Sequence, residues 1–581
     1  MPMKSPQQHL TDRVAAACLA ALGVEAPAGT LKPCADPRHG DFQSNAALPL
    51  AKALGKNPRE VAAQLAAALP EDEAASAPEI AGPGFLNFTL KPAYLNRAAA
   101  AMRAAGTEGN LGIAKAAAPQ TVVLDFSGPN IAKEMHVGHI RSTILGDALA
   151  RIHRFLGHRV VTDNHLGDWG TQFGKILLGY KRHGSEALLA EKPIEHLEAL
   201  YQQVHEASKT DEGIQEAARA ELLRLQQGDP ESLALWQRFV DATKVELDKI
   251  YSRLGVSFDE TLGESFYNSR LGPVVEELKA KGIARESEGA TVVFFDAPGD
   301  EKQLADKPFL IRKSDEAFLY STSDLATVQY RVETWKPGRM IYVTDGRQQL
   351  HFQQLFATVA KWGVAPGARL EHVWFGAILG DDKKPLKTRE GKPIKLRELL
   401  DEAEARAAAL LAEKRPELDE AKRREIARVV GLGALKYADM GQNRNLDYVF
   451  DWDRLLAFEG NTAPYLQNAY VRIRSLFRKG GLTPPPADTP LDLREPAELA
   501  LAKKLLGLGE VLAVAAQENR PHFLCVALFE LAGAFHQFYE ACPVLKAEEP
   551  ARSSRLALCA LTADALALGL GLLGIGTVEE M

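Results

Sequence analysis

The residues best suited to chemistry lie in one run, Asp125-Phe-Ser-Gly-Pro-Asn-Ile-Ala-Lys-Glu-Met-His-Val-Gly-His139, which leads into Ile140-Arg-Ser-Thr-Ile-Leu-Gly-Asp147. Thr121 to Phe126 is a compact apolar stretch of the kind that forms a buried parallel strand. A Gly-Pro turn follows, and His136 and His139 fall where the next helix should start. A helix N-terminus offers unpaired N–H groups and partial positive charge, which suit a polyphosphate. Gly138 between the histidines leaves room for a nucleotide to approach the backbone. Histidines placed there can donate hydrogen bonds to phosphate oxygens as charge develops in a displacement at phosphorus. Taken alone, His-Val-Gly-His fits two surface histidines at a helix start equally well.

Around this motif the chain alternates between short apolar runs and helical stretches. The runs are Arg159–Thr162, Thr291–Phe295, Phe318–Ser321, Arg339–Thr344 and His372–Phe375. With helices between most of them, the pattern reads as an α/β domain around a parallel sheet. Residues from about 185 to 285 are helical and charged, and read as an insertion in that domain. Before it, residues 1 to about 112 form a first unit with helical stretches at 9–23 and from Ala51 to Leu69. A strand-like run from Gly84 to Leu90 follows, and Gly106 to Ala118 reads as a linker. From about 395 onward the chain reads as helical, with a Pro-rich loop at Leu482–Ala487. No internal repeat or low-complexity tract interrupts it.

Composition sets outer limits. The 581 residues carry 69 Lys plus Arg against 76 Asp plus Glu, a net charge of -7, which excludes a binder held to nucleic acid by bulk positive charge. The five cysteines are scattered with no C-x-x-C pair, so they read as reduced packing residues in a cytoplasmic protein. The opening MPMKSPQQHLTDR lacks the charged head and apolar stretch of a secretory signal. Ala557 to Gly576 carries one charge, Asp564, and its repeated glycines fit a buried helix running into a loop better than a membrane span.

The fifteen-residue run resembles class I aminoacyl-tRNA synthetases, and specifically the arginyl-tRNA synthetase family, whose signature takes the form S-x-P-N-x-A-K-x-x-H-x-G-H-x-R-S-T. Further segments resemble the same family in order: Asp163–Gly174, Phe318–Ala326, Tyr342–Phe352, Phe458–Tyr470 and Arg555–Ile575. One departure stands out. Where class I enzymes usually carry K-M-S-K-S, this chain has Gly380–Lys392. The resemblance implies that Lys133 compensates, with Lys387 and Arg389 as loop cations and Thr388 beside the nucleotide. Without the resemblance, that loop reads as a lysine-rich solvated turn.

The resemblance also implies the substrates: ATP, L-arginine and the matching tRNA, with Mg2+ accompanying ATP and no metal held by the protein itself. It places Gly138, His136 and His139 against ATP, and Asp125, Asn130, Tyr320, Asp324 and Gln348 around arginine. A guanidinium is planar, permanently charged and carries five donors, so its recognition calls for carboxylates in a dry pocket. Asp125 ends a strand, and Tyr320 and Asp324, four residues apart, share a face of a helical turn. Phe85 and Asn87 resemble the segment that contacts the D-loop of tRNA, by stacking and edge hydrogen bonding; a core strand is the competing reading. Lys422–Arg424, Arg428, Arg472, Arg474, Arg478 and Lys479 are basic candidates that equally suit solvated helix faces.

The expected architecture is an α+β N-terminal tRNA-binding domain (1–115) and a Rossmann-like α/β catalytic domain (116–395) with its helical insertion. A linking helical region (396–455) and an all-α anticodon-binding bundle (456–581) complete a monomer. Three alternatives stay open: a class I synthetase for another amino acid, a small-molecule nucleotidylyltransferase, and a tRNA-binding paralogue without catalysis.

Overall fold

The computed structural model describes residues 5–34, 36–380, 382–384, 386 and 394–581. Lys387, Thr388 and Arg389 lie outside the described residues. The chain forms two compact units: Ala117–Glu413 with Gly431–Leu455, and Met1–Ala116 with Lys414–Val430 and Leu456–Met581.

The first of these units is built on four parallel strands: β1 (Thr121–Phe126), β2 (Arg159–Asp163), β3 (Arg339–Val343) and β4 (Arg369–His372), in the order β4-β3-β1-β2. The β1 run is made of β-branched and apolar residues because both faces of its strand are covered. Helix α1 (Val137–Phe155) crosses from β1 to β2. The chain then returns to the opposite side of β1 through α2 (Tyr320–Trp335) into β3, and α3 (Gln349–Trp362) leads on to β4. Strand order therefore reverses between β1 and β3. Their carboxyl ends form the crevice where open α/β sheets take ligands. Register puts Tyr342 opposite Asp125, and Asp125 opposite Asp163, so three polar side chains share one row at that edge. Below it, Val123, Val161, Leu325, Val328, Met340, Phe352 and Leu355 belong to one buried core.

Several sequence expectations change here. The Thr291–Phe295 run belongs to a separate antiparallel sheet of Ala284–Ser287, Ala290–Val293 and Phe309–Arg312. Its two-residue turn has positive φ at both Glu288 (51°) and Gly289 (80°), which closes a hairpin and forbids a parallel crossover. Phe318–Ser321 is not a strand, because α2 starts at Tyr320. The His372–Phe375 run only ends β4, which begins at Arg369. Between β2 and the antiparallel sheet lie helices Gln172–His183, Glu186–Glu191, Pro193–Ala207, Glu212–Gln226, Pro230–Leu254 and Asn268–Ala280. Finally, Ala51–Leu69 is two helices, Ala47–Leu54 and Pro58–Ala67, parted at Gly55 and capped anew by Asn57.

The other unit combines a four-stranded antiparallel sheet, in which Phe85–Phe88 is a central strand, with a helical bundle. The bundle helices are Ala463–Gly480, Pro496–Leu506, Leu508–Glu518, His522–Ala541 and Ala551–Leu572. Among the described residues, Ala551–Leu572 alone is long and apolar enough to cross a membrane, yet 67% of its apolar window is buried within the fold. It is a core helix that ends at Leu572, ahead of Gly574 and Gly576. Phe535 and Phe538 are fully buried in the neighbouring helix, as core residues.

Candidate active site

The loop after β1 is tightly bent. Ser127, Gly128 and Ala132 all have positive φ, and their amides are taken up by named partners. The Ser127 N–H donates to Ser142 Oγ (2.8 Å), that of Gly128 to Asn164 Oδ1 (3.1 Å), and that of Ala132 to Thr243 Oγ1 (3.2 Å). Asn130 is exposed and lies beside Gly167, with which it forms a parallel bridge. A Cβ on Gly167 would meet Asn130 Oδ1 at 2.2 Å, so glycine there is what lets the two loops touch.

At the start of α1 the backbone donors are already engaged. The Val137 N–H donates to the Ile394 carbonyl (2.9 Å), that of Gly138 to His136 Nδ1 (3.0 Å), and that of His139 to the His136 carbonyl (2.8 Å). The His136 N–H in turn donates to His139 Nδ1 (3.1 Å). This corrects the expectation of unpaired helix N–H groups facing a phosphate: the histidines cap the helix themselves. The same bonds fix their chemistry. A ring whose Nδ1 accepts from an amide carries its proton on Nε2 when neutral. Burial lowers the pKa of His139 to about 4, and burial first, then the nearby Arg347 and Lys133 charges, lowers that of His136. Both rings, 4.1 Å apart at their centroids, are therefore neutral Nε2–H donors near neutral pH.

Cations gather around them. Lys133 is exposed and sits 5.9 Å from the Tyr201 ring centroid, and Arg347 reaches close enough to disfavour His136 protonation. Sequence reasoning missed Arg347, which occupies the short turn Gly346–Gln348 after β3 and pairs with Asp345 (2.9 Å). Its signal was available: it lies within the Tyr342–Phe352 segment, one residue before Gln348.

Asp125 takes a different part from the one expected. Its Oδ2 accepts from Arg331 (2.6 Å), and the same guanidinium nitrogen donates to Asp163 (2.8 Å). Arg331 is wholly buried, and the two carboxylates keep it protonated. Burial pushes the Asp125 carboxyl upward while Arg331 opposes it. Asp125 thus neutralises an internal arginine and holds the strand row together, where the resemblance had set it beside the substrate arginine.

Tyr320, Asp324 and Gln348 come to the crevice on the first turns of α2 and the approach to α3. Tyr320 is 62% exposed, with its ring 4.9 Å from that of His351. Asp324 Oδ2 accepts from His351 Nε2 at 2.6 Å. Gln348 is exposed. A second carboxylate, Glu264, joins Asp324, and no motif in the chain marks it. Burial, with Asp324 and Asp168 nearby and His165 opposing, raises the Glu264 pKa to about 7. Asp168 accepts from the Ser265 N–H (2.8 Å) and Oγ–H (2.7 Å), and the Glu264 N–H donates to the Leu166 carbonyl (3.0 Å), which seats this turn beside the loop after β2. Glu264 thus adds a second carboxyl to the part of the crevice that carries Asp324.

In the other unit, Phe85 is half-exposed, but Asn87 is buried (6%) and its Oδ1 accepts from Gln43 Nε2 (2.9 Å). It lies on the central strand, paired with Gln43 and Glu79 on either side. Arg474 and Arg478 pair with Glu579, Lys422 with Glu425 and Arg424 with Glu420, as solvated faces do.

Comparison with known families matches residues 102–452 to "tRNA synthetases class I (R), catalytic domain", residues 8–90 to "Arginyl tRNA synthetase N terminal domain", and residues 466–581 to "DALR anticodon binding domain". The arginine–tRNA ligase of Cellvibrio japonicus is 47% identical over 98% of this chain and 99% of its own. That of a Synechococcus strain is 46% identical over the whole of both chains. Among solved structures, the arginyl-tRNA synthetase of Plasmodium falciparum superposes with a TM-score of 0.85 at 27% identity, covering all of both chains. The Thermus thermophilus enzyme gives 0.82 at 26%, over 99% of this chain and 100% of its own.

Proposed function

The chain belongs to the class I arginyl-tRNA synthetase family, and from that premise we propose how its own residues divide the work. The activity is that of an arginine–tRNA ligase: ATP activates L-arginine as an adenylate, and arginine passes to the 3′-terminal ribose of tRNA with release of AMP and pyrophosphate.

In our reading, Asp324 and Glu264 receive the guanidinium, and Asn130 and Gln348 hold the α-amino and α-carboxylate end. Tyr320 walls the pocket between them. The observation that carries this is the Asp324 carboxylate, held by His351 at 2.6 Å on the edge of the crevice with the Glu264 carboxyl near it, since a planar cation can bond carboxylates on two sides. In this orientation the carboxylate of arginine would face the β1 loop and the histidines. That carboxylate is already ionised, so the first step needs no base. His136 and His139 donate from Nε2 to oxygens of the α-phosphate region, Gly138 lets the nucleotide approach, and Lys133 with Arg347 neutralises the leaving pyrophosphate. Lys387, Thr388 and Arg389 are proposed to join them from the loop after Gly380. Asp125 acts through Arg331 to position the strand end.

Mg2+ would supply charge neutralisation on the phosphates. Such an ion would be carried in on the oxygens of ATP. For tRNA, Phe85 would stack on an unpaired base, and the 456–581 bundle would meet the anticodon. We extend the reading to a cytoplasmic monomer, consistent with five free cysteines, and light scattering and fractionation test it.

The pocket assignment is tested by Asp324→Asn and Glu264→Gln in aminoacylation. Each should raise KM for arginine at least about ten-fold, the cost of losing a hydrogen bond to a charged group, with KM for ATP unchanged. Unchanged KM for arginine in both variants would refute it.

A further inference from the structure

His351 stands at a junction that the activity does not by itself explain. It lies in the first turn of α3, three residues after Gln348. Its Nε2 meets Asp324 Oδ2 at 2.6 Å, and its ring lies 4.9 Å from Tyr320, 5.6 Å from Phe309 and 5.2 Å from Phe352. Its side chain is 12% exposed and that of Asp324 is 22% exposed, so the bond is shielded but borders the crevice. One imidazole therefore ties the α3 end that carries Gln348 to the α2 end that carries Tyr320 and Asp324.

We propose that His351 is the positioning residue for arginine specificity, holding the Asp324 carboxylate in the plane and distance that a guanidinium fork requires. The proposal rests on the reading of Asp324 as a guanidinium acceptor. An aspartate rotates freely about its terminal torsion unless one oxygen is held. With one Oδ2 lone pair taken by the Nε2–H, the other Oδ2 lone pair and those of Oδ1 are held in one plane for a guanidinium fork. An ammonium, as a compact point charge, has no need of a fixed carboxylate plane, whereas a bidentate guanidinium does. His351 would thus act on arginine against lysine, and on arginine affinity rather than on the chemical step.

The bond runs through Nε2, which selects the variants. A glutamine amide reaches the position of the histidine Nε2, an asparagine amide only that of Nδ1, and phenylalanine keeps the ring contacts with no donor. We expect His351→Asn and His351→Phe to raise KM for arginine about ten-fold or more, to narrow the arginine-over-lysine preference, and to leave kcat and KM for ATP within about two-fold. His351→Gln should restore most of the wild-type KM. The double variant His351→Asn with Asp324→Asn should match Asp324→Asn alone, because the histidine acts through the aspartate. A His351→Phe enzyme with wild-type KM for arginine, or His351→Gln no better than His351→Asn, would overturn the proposal. So would two substitutions whose effects multiply. Should Asp324→Asn itself leave arginine KM unchanged, the pocket reading fails first and the inference with it. Impairment by Asp324→Asn without impairment at His351 refutes the inference alone.

Discussion

Gly138→Ala separates the role of the histidine cap in catalysis from its role in folding. A Cβ on Gly138 would lie 2.8 Å from His136 Cε1 and 3.0 Å from His136 Nδ1, closer than such atoms approach. The His136 ring must swing away, and its Nδ1 loses the Gly138 N–H at 3.0 Å. On stability the effects nearly cancel. Alanine for glycine inside a helix gains about 1 kcal/mol, and the lost hydrogen bond costs about 1 kcal/mol. Tm should therefore stay within about 3 °C of wild type. On activity they do not cancel. With Nδ1 released, the ring no longer holds its Nε2–H toward the phosphate, and removing one positioned donor from a developing charge costs about 100- to 1,000-fold in kcat. The assay is ATP–pyrophosphate exchange with saturating arginine and cognate tRNA, alongside calorimetry. A variant with wild-type Tm and kcat within about three-fold of wild type would refute the claim that ring placement carries the catalysis.

Three further outcomes are expected. Arg331→Met leaves Asp125 and Asp163 buried without their cation and should cost about 3–5 kcal/mol in urea unfolding, part of which Asp163→Asn added to it restores; a loss below about 1 kcal/mol would contradict the ion triad. The Glu264 carboxyl, raised from 4.5 to about 7 in the fold, contributes stability that is complete below pH 4.5 and is lost as pH rises through about 7. Glu264→Gln should therefore flatten the decline in melting temperature across that window, and in the native enzyme KM for arginine should climb as pH falls below about 7. Phe85→Ala should raise KM for tRNA about ten-fold with an undisturbed melt, whereas Asn87→Ala should cost about 1–2 kcal/mol in stability, and a reversal of the two would restore the base-contact reading of Asn87.

The signature run was legible because all its parts follow one another in the chain: strand, turn, cap and helix are local events set by local residues. Tyr320 and Asp324 were legible as a pair because helical spacing brings them to one face. What stayed hidden depends on partners far apart. Asp125 reads as a free carboxylate until Arg331, 206 residues later, is seen to take its oxygen. Glu264 opens a single 3-10 turn, Glu264–Tyr267, too short for any periodicity to mark it, and its raised pKa comes first from burial, which only the assembled fold supplies. The histidines were found, but their tautomers were not, because those follow from backbone amides that point at the rings. The burial of Asn87 beside Gln43 is not legible in the sequence, because Gln43 stands 44 residues earlier, on the neighbouring strand. The hairpin at Glu288 and Gly289 was overlooked because Glu-Gly is a less familiar turn pair than Asn-Gly, although it meets the same backbone demand.

The measurement that tests the account most directly is amino-acid-dependent ATP–pyrophosphate exchange across all twenty amino acids, with and without cognate tRNA. Exchange with arginine alone, and only once tRNA is added, is the expected result. Exchange with lysine or another amino acid at a kcat/KM comparable to arginine would contradict a pocket built around Asp324 and Glu264. No exchange from folded protein under either condition would contradict catalysis by this site.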